Sequence, residues 1–434
     1  MSPDRPPPDP DGPAATVPES LYTLDPATAL VADLDALTTP ATRLHADADL
    51  WLPLVTSLTQ LARLPTRRRP HYRRASAQLW HDATNRWHDD RYTRVGSRLA
   101  RWRQTDPTLP LVRELLWALE QLESIGGVRL AYAGLAAVAA LVPLGSRHAG
   151  HVLAQSGRPL RTLGALDAAL ARYEAGIRIG RTHHDRWLRA RSALGAGGVH
   201  TFRGNHPAAR SAFADVLRLM PAGSVLAQAA HHGLVLCTTA AGDYAGALRH
   251  GWESFRTRRA DATARAEALS LLADLCTRIG RHQSAIRSAQ AALQLTSLVR
   301  LRISLLRIAL QAAHVGGNDA LARHYARELA TCIGTGGDLH EDAAGRLALA
   351  EVHAAWGDPA AARQHLAAAD ALAAGCGYHE LSFKIESARE ALHKKTLGEP
   401  RRTWNAAPTL DDHATAVLDA LAHLPTSAAE LLVM

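Results

Sequence analysis

The stretch GGVHTFRGNHPAARSAFADVLRLMP, residues 197–221, decides the fold of this chain. It has the pattern of a helix that ends at Gly204, a short turn, and a second helix that carries Ala209 and Phe213. A Gly followed five residues later by Ala recurs every 37 to 40 residues, in seven pairs: Gly126/Ala131, Gly164/Ala169, Gly204/Ala209, Gly242/Ala247, Gly280/Ala285, Gly317/Ala322 and Gly357/Ala362. A period of this length is typical of a stack of repeated supersecondary units.

Each marked Gly is predicted to end the first helix of a unit, because Gly adopts the positive φ that a helix C-cap requires. The side chains that follow several of them suit the N-cap of a second helix: Asn205, Asp243, Asn318 and Asp358. The Ala then falls inside the second helix, where a small side chain permits close packing against the first. Ala and Leu dominate the apolar residues and favour helix, so the sequence predicts an all-α fold.

The unit around Gly204 resembles the tetratricopeptide (TPR) repeat, and the matching positions are Gly197, Gly204, Ala209, Phe213 and Pro221. The resemblance covers roughly residues 107–395, and such Ala-rich units look like the sensor or scaffold regions of bacterial regulators, especially those of actinomycetes. It implies an α-solenoid of about seven to eight helix pairs with a C-terminal capping helix. The spacing exceeds the TPR period of about 34 residues, which predicts longer helices.

Composition divides the chain into a disordered tail (1–20), an N-terminal helical region (21–106), the TPR-like repeats (107–395), a linker (396–408) and a C-terminal helix and tail (409–434). Within the repeats, Gly157-Arg158-Pro159 predicts a turn that makes one unit irregular. The final helix begins at Thr409 or Asp411 and has one apolar stripe: Leu410, Ala414, Val417, Leu418 and Leu421. We expect it to cap the open end of the repeats, and the alternative is docking into a partner's groove.

The net charge is +8, and Arg supplies most of the basic residues. Five arginines fall within eight residues, and this cluster predicts a nucleic-acid-binding patch: Arg67, Arg68, Arg69, Arg73 and Arg74. A solvated loop between helices is the alternative interpretation, since no recognised nucleic-acid module surrounds the patch. The cysteines lie far apart and fit small buried residues of a reducing, cytoplasmic compartment, and no apolar run is long enough to cross a bilayer.

Catalytic and metal-binding signatures are missing from the sequence. Gly195-Ala196-Gly197-Gly198 lies in a first-helix stretch without the Lys-Ser/Thr of a phosphate-binding loop, so close helix packing explains it better. Adjacent histidines such as His183-His184 do not share a helix face, and the cysteine spacing is unlike that of a zinc site. We therefore expect no enzymatic activity, no cofactor and no bound metal.

The resemblance to TPR repeats also implies where a ligand binds, because the first helix of each pair lines the concave groove in that family. The corresponding polar residues are Arg191, His232, Glu267, Asp274, Arg278, Arg307, Gln311, His314 and Glu351. For any single one of them, an ordinary solvated helix face is the alternative. We expect a protein- or peptide-binding regulatory adaptor, and the second hypothesis is a transcriptional regulator or sensor subunit that contacts nucleic acid through Arg67–Arg74.

Overall fold

The computed structural model describes residues 48–64, 72, 109–124, 127–257, 261–335, 339–376, 379–394, 410–425 and 427–433. Within these ranges the chain forms eighteen helices and no strand, which confirms the all-α prediction for this part of the chain. Contacts between Cα atoms divide the protein into two compact units, Met1–Met220 and Pro221–Met434. The tail 1–20, the linker 396–408 and the basic patch lie outside the described residues.

The first unit contains seven of the described helices: α1 (Ala48–Arg63), α2 (Leu109–Ser124), α3 (Val128–Ala139), α4 (Arg147–Thr162), α5 (Leu166–Thr182), α6 (Arg186–Phe202) and α7 (His206–Leu219). Consecutive helices form pairs, namely α2 with α3, α4 with α5 and α6 with α7. Each pair packs on the next. The first helices of successive pairs also touch, since α4 contacts both α2 and α6. α1 packs on α3 and extends the same core.

The second unit contains the other described helices: α8 (Val225–Ala240), α9 (Tyr244–Phe255), α10 (Ala262–Arg278), α11 (His282–Leu295), α12 (Val299–Val315), α13 (Asp319–Cys332), α14 (Leu339–Ala355), α15 (Pro359–Cys376), α16 (His379–His393), α17 (Asp412–Ala422) and α18 (Ala428–Val433). The pairs α8/α9, α10/α11, α12/α13 and α14/α15 follow the arrangement of the first unit. Their first helices again contact one another in chain order.

The turns inside six of the pairs are built as the sequence predicts, and Gly126 of the α2/α3 pair lies outside the described residues. Six of the marked Gly residues have φ between +69° and +79°: Gly164, Gly204, Gly242, Gly280, Gly317 and Gly357. At Gly204 the amide of Asn205 donates to the carbonyl of His200 at 2.9 Å, the long bond of a Schellman cap. The Asn205 side chain then accepts from the Ala208 amide at 3.2 Å and starts α7.

The small residue of each pair is buried where the two helices meet. The alanines of all seven Gly–Ala pairs are fully buried: Ala131, Ala169, Ala209, Ala247, Ala285, Ala322 and Ala362. The first helices have 16 or 17 residues, as in α4 and α6, which accounts for the long period. The coarse prediction of successive helix-pair repeats is confirmed, and no helix of the described residues is long and apolar enough to cross a membrane.

Two expectations about local structure are wrong. Gly157-Arg158-Pro159 is not a turn, because α4 continues through it to Thr162 and Pro159 lies inside the helix. The C-terminal helix, α17, was expected to cap the open end of the repeats after α16, and it does not. Instead α17 packs against the interior second helices α9 and α11, because its buried stripe joins the core that those helices share.

Candidate functional site

The most distinctive surface of the first unit is one stripe on α6, which we name the α6 stripe: Trp187, Arg191, Gly195, Gly198 and Phe202. These residues are spaced by three or four positions, so they lie along one face over about 22 Å of helix. Trp187 is 44% exposed and Phe202 is 70% exposed, although both are large apolar side chains. Exposed aromatic residues arranged in a stripe are typical of a binding surface.

An arginine lies over each of the two aromatic rings. The guanidinium of Arg191 is 5.5 Å from the ring centre of Trp187, and that of Arg161 on α4 is 5.5 Å from the ring centre of Phe202. Both distances are within the range of a cation–π interaction. Gly198 makes room for Arg161, because a Cβ added at Gly198 would collide with Nη1 of that guanidinium. These two cation–π contacts fix the positions of the Arg191 and Arg161 guanidinium groups along the α6 stripe.

Three arginines lie in or beside the α6 stripe, and two glutamates of α2 form ion pairs with two of them. Arg158 pairs with Glu120, and its Nε lies 3.4 Å from Oε1 of Glu123. Arg191 lies 3.6 Å from Glu120 and also donates to the Gln155 side chain. Arg161 has no carboxylate partner among the described residues. Together these residues form what we name the Arg–Glu cluster: Glu120, Glu123, Arg158, Arg161 and Arg191.

The charge balance of the Arg–Glu cluster is positive. Three guanidinium groups face two carboxyl groups, and burial raises the pKa of Glu123 although Arg158 beside it opposes that shift. The cluster therefore has one guanidinium more than it has carboxyl groups, and Arg161 is the arginine that forms no ion pair among the described residues, although its charge also acts to lower the pKa of Glu123. Chemically, this arrangement offers one guanidinium fork to a carboxylate between two aromatic surfaces.

Tyr173 supports the cluster from the second helix α5. Its ring passes between α4 and α6 at Gly157 and Gly195, where an added Cβ at Gly157 would lie 2.5 Å from Cζ. The residue is 1% exposed, and its hydroxyl has no hydrogen-bond partner within the described part of the chain. Burial raises the pKa of Tyr173, while Arg161 and Arg191 act in the opposite sense.

The start of α6 is fixed by a buried polar group. The Asp185 side chain accepts from the Leu188 amide at 2.9 Å and caps the helix, while Arg147 and His151 of α4 also contact it. His151 lies 3.2 Å from Asp185, and its ring packs against Trp187 in a tilted arrangement with 5.4 Å between ring centres. This group ties the first residue of the α6 stripe to α4.

Burial lowers the pKa of His151 to about 4, although Asp185 favours the proton and Arg113 and Arg147 disfavour it. Below pH 6.5 the unfolded chain binds a proton at His151, and the folded chain does so only near pH 4. The free energy of unfolding should therefore fall, by roughly 2–3 kcal/mol, as the pH decreases across that window. Amide exchange of α4 and α6 at several pH values measures this loss.

His151→Gln should flatten that pH dependence, because the variant has no titrating group at this position. His184→Asn is the matched control, since His184 is exposed and its φ of +50° suits Asn. An unchanged slope in His151→Gln would show that another group causes the acid sensitivity.

The predicted groove residues divide between the two units. Arg191 belongs to the Arg–Glu cluster of the first unit, and the others lie on first helices of the second unit: His232 on α8, Glu267, Asp274 and Arg278 on α10, Arg307, Gln311 and His314 on α12, and Glu351 on α14. On α10 and α12 they follow the less buried stripe, opposite the buried apolar residues of the same helices. Their residue types and spacing are consistent with a polar helix face.

Several of these second-unit residues already have partners within the unit. Glu267 pairs with Arg300 at 2.9 Å and lies near His232, whose pKa is lowered by burial while Glu267 opposes the shift. Asp274 and Arg278 pair with each other at 2.7 Å along α10. Pairs of this kind neutralise each other, so these three residues offer no free charge of their own.

Sequence reasoning missed most of the α6 stripe and its surroundings. The missed residues are Glu120, Glu123, Gln155, Arg158, Arg161, Tyr173, Trp187 and Phe202. The available signal was the helical spacing of Trp187, Arg191 and Phe202, which places two aromatic residues on the face that already held a predicted groove residue. Among the described residues no group of three or more His, Cys, Asp or Glu side chains could hold a metal ion.

A scan of the chain against protein-family models finds no match, and a search of curated proteins finds no relative. Function therefore has to be inferred from the chemistry of the α6 stripe and the Arg–Glu cluster.

Proposed function

We propose that this protein is a non-enzymatic, TPR-like scaffold of the cytoplasm that binds a protein or peptide segment and acts as a regulatory adaptor. The observation that carries the proposal is the α6 stripe, with two exposed aromatic side chains that each lie against an arginine. Aromatic residues and Arg are the side chains that most often dominate binding energy at protein interfaces. The succession of helix pairs supports the proposal, since within each unit the first helices of successive pairs contact one another and can present a continuous face.

The chemistry of the site favours a segment with one acidic residue between apolar ones. Arg161 offers an unpaired guanidinium, and Trp187 and Phe202 offer apolar surface on either side along α6. Glu120 and Glu123 keep Arg158 and Arg191 engaged and would repel a run of several acidic residues. A single carboxylate should therefore bind better than a polyacidic stretch or a polyphosphate.

Peptide selection against the full chain tests this proposal. A library of random linear peptides is enriched on the wild-type protein, and the enriched peptides are then titrated against two charge-reversal variants. Arg161→Glu should weaken binding at least about tenfold, or about 1.4 kcal/mol, because it puts a negative charge where the peptide carboxylate binds. Arg210→Glu is the matched control on the exposed side of α7, and it should change the affinity less than about twofold.

The enriched peptides should share an acidic residue with a hydrophobic residue on at least one side. Peptides without this pattern, or with equal affinity for both charge-reversal variants, would contradict the assignment of the site. Trp187→Ala adds a second check, since loss of an aromatic anchor should weaken binding without any change in charge.

A further inference from the structure

The second unit holds a part of its own chain on its second helices. We name residues 410–425 and 427–433 the C-terminal segment, which consists of α17, α18 and the residues between them. α17 packs against α9 and α11, and α18 packs against α11. Six apolar side chains of the segment are buried in the same core: Ala414, Val417, Leu418, Leu421, Leu424 and Leu431. The segment is therefore bound as an amphipathic helical ligand would be.

The face that receives the segment is apolar at two positions where some other second helices have charged residues. Six residues after the marked Gly, α7 and α13 have exposed arginines, Arg210 and Arg323, whereas α9 has the fully buried Leu248. The residue eleven after the Gly is acidic in three second helices: Asp215, Glu253 and Glu328. In α11 it is Ala291, which is buried. Leu248 and Ala291 belong to the same buried core as the C-terminal segment, and this face forms an apolar groove between α9 and α11.

The groove recognises the backbone of the segment through three donors. Arg265 donates to the Leu431 carbonyl at 2.7 Å, Arg287 donates to the Leu424 carbonyl at 2.8 Å, and Ser284 donates to the Leu418 carbonyl at 3.4 Å. Leu418 lies inside α17, Leu424 follows that helix, and Leu431 lies in α18. Because the donors contact main-chain atoms, which every sequence has, they do not depend on one particular sequence.

A charged side chain of the groove favours an acidic residue at the start of the bound helix. Asp411 caps α17 by accepting from the Ala414 amide at 2.8 Å, and its other carboxylate oxygen pairs with Arg249 of α9. Arg265 is 4% exposed, lies 5.6 Å from the Phe255 ring centre, and has no carboxylate partner among the described residues. The groove is thus cationic at both ends of the bound segment, which suits a helix with an acidic N-cap.

The C-terminal segment leaves part of the groove unfilled. A cavity of about 280 Å³ remains beside Pro425, lined by Arg287, Gln290, Ala291 and Gln294 of α11. Residues 395–409 join the segment to the end of α16, and they are fifteen residues long. Among the described residues, the C-terminal segment therefore does not fill the whole groove.

We propose that the groove between α9 and α11 is a binding site for an amphipathic helix of a partner protein, and that the C-terminal segment competes for it within the chain. The partner helix has an acidic N-cap, a Leu- or Val-rich face with the spacing of residues 414, 417, 418 and 421, and a side chain that enters the cavity beside Pro425. This site is separate in sequence and chemistry from the α6 stripe, and it stands whether or not the α6 stripe binds a peptide.

Exchange of the C-terminal segment on the full chain tests this inference. A protease site is inserted after Pro400, so that the segment can be cut while the protein stays folded. The probe is a fluorescent peptide with the sequence of residues 409–434. The cut protein should exchange its own fragment for the probe, and the uncut protein should bind the probe at least about tenfold more weakly, because a tethered competitor has a high effective concentration.

The matched control is the same peptide with Leu418→Asp, which places a charge on the buried face and should not bind. Failure of the cut, folded protein to exchange its fragment would overturn the proposal, since the segment would then be a fixed part of the core. Equal probe affinity for the cut and uncut proteins would overturn it as well. A concentration-dependent dimer of the uncut wild type, abolished by Leu418→Asp, would identify a second copy as the occupant and contradict the choice of a partner helix.

Discussion

Tyr173→Ala should destabilise the first unit by about 3–5 kcal/mol, the range for removal of a buried aromatic side chain. The ring fills the gap between Gly157 of α4 and Gly195 of α6, and neither Gly has a side chain that could replace it. Amide exchange of α4, α5 and α6, or chemical unfolding followed through these helices, measures the loss.

Tyr173→Phe is the control that separates the ring from its hydroxyl. The hydroxyl is buried without a hydrogen-bond partner among the described residues, so its removal should leave the stability unchanged or increase it by about 1 kcal/mol. A large loss of stability in Tyr173→Phe would mean that the hydroxyl has an essential partner. A small loss in Tyr173→Ala would mean that the two glycines do not depend on the ring.

Ala285→Leu should destabilise the second unit by about 1–3 kcal/mol, because the added side chain overpacks the contact between α10 and α11. Ala285 has no exposed surface and belongs to the main apolar core of this unit. The matched control is Ala330→Leu on α13, which adds the same atoms at an exposed position and should change the stability by less than about 0.5 kcal/mol.

Arg307→Ala completes the comparison in the second unit, since Arg307 lies on the less buried stripe of α12. It should cost little stability, within about 0.5 kcal/mol, and should affect only the binding of a partner. Thermal unfolding of Ala285→Leu, Ala330→Leu and Arg307→Ala measures these three changes in stability. The repeat register would be wrong if Ala285→Leu unfolded like the wild type while Arg307→Ala unfolded the protein.

The repeat register was predictable because it depends on backbone geometry. A Gly that ends a helix needs a positive φ, and a buried helix contact needs a small side chain, so Gly204 and Ala209 carry this information by themselves. The same local reasoning failed at Pro159, because the interior packing of Gly157 against Tyr173 keeps α4 helical there. Tertiary contacts outweighed a local turn signal.

The candidate site was only partly predictable because it is assembled from three first helices and one second helix. Arg191 was found from its repeat position, but its pairing with Glu120 and Gln155 depends on how α2, α4 and α6 pack. The position of the C-terminal segment was also out of reach, because apolar residues equivalent to Leu248 and Ala291 also occur in α5, at Leu170 and Ala175, where the segment does not pack.

The most direct test of the central claim, that the α6 stripe binds an acidic segment, is a charge exchange between protein and ligand. A peptide enriched on the wild-type protein is synthesised with its acidic residue replaced by Lys and titrated against wild type and Arg161→Glu. The wild type should bind this Lys peptide at least about tenfold more weakly than the original, and Arg161→Glu should recover part of that affinity. If Arg161→Glu binds the Lys peptide no better than the wild type does, Arg161 does not contact the ligand, and the binding function assigned to the α6 stripe is contradicted.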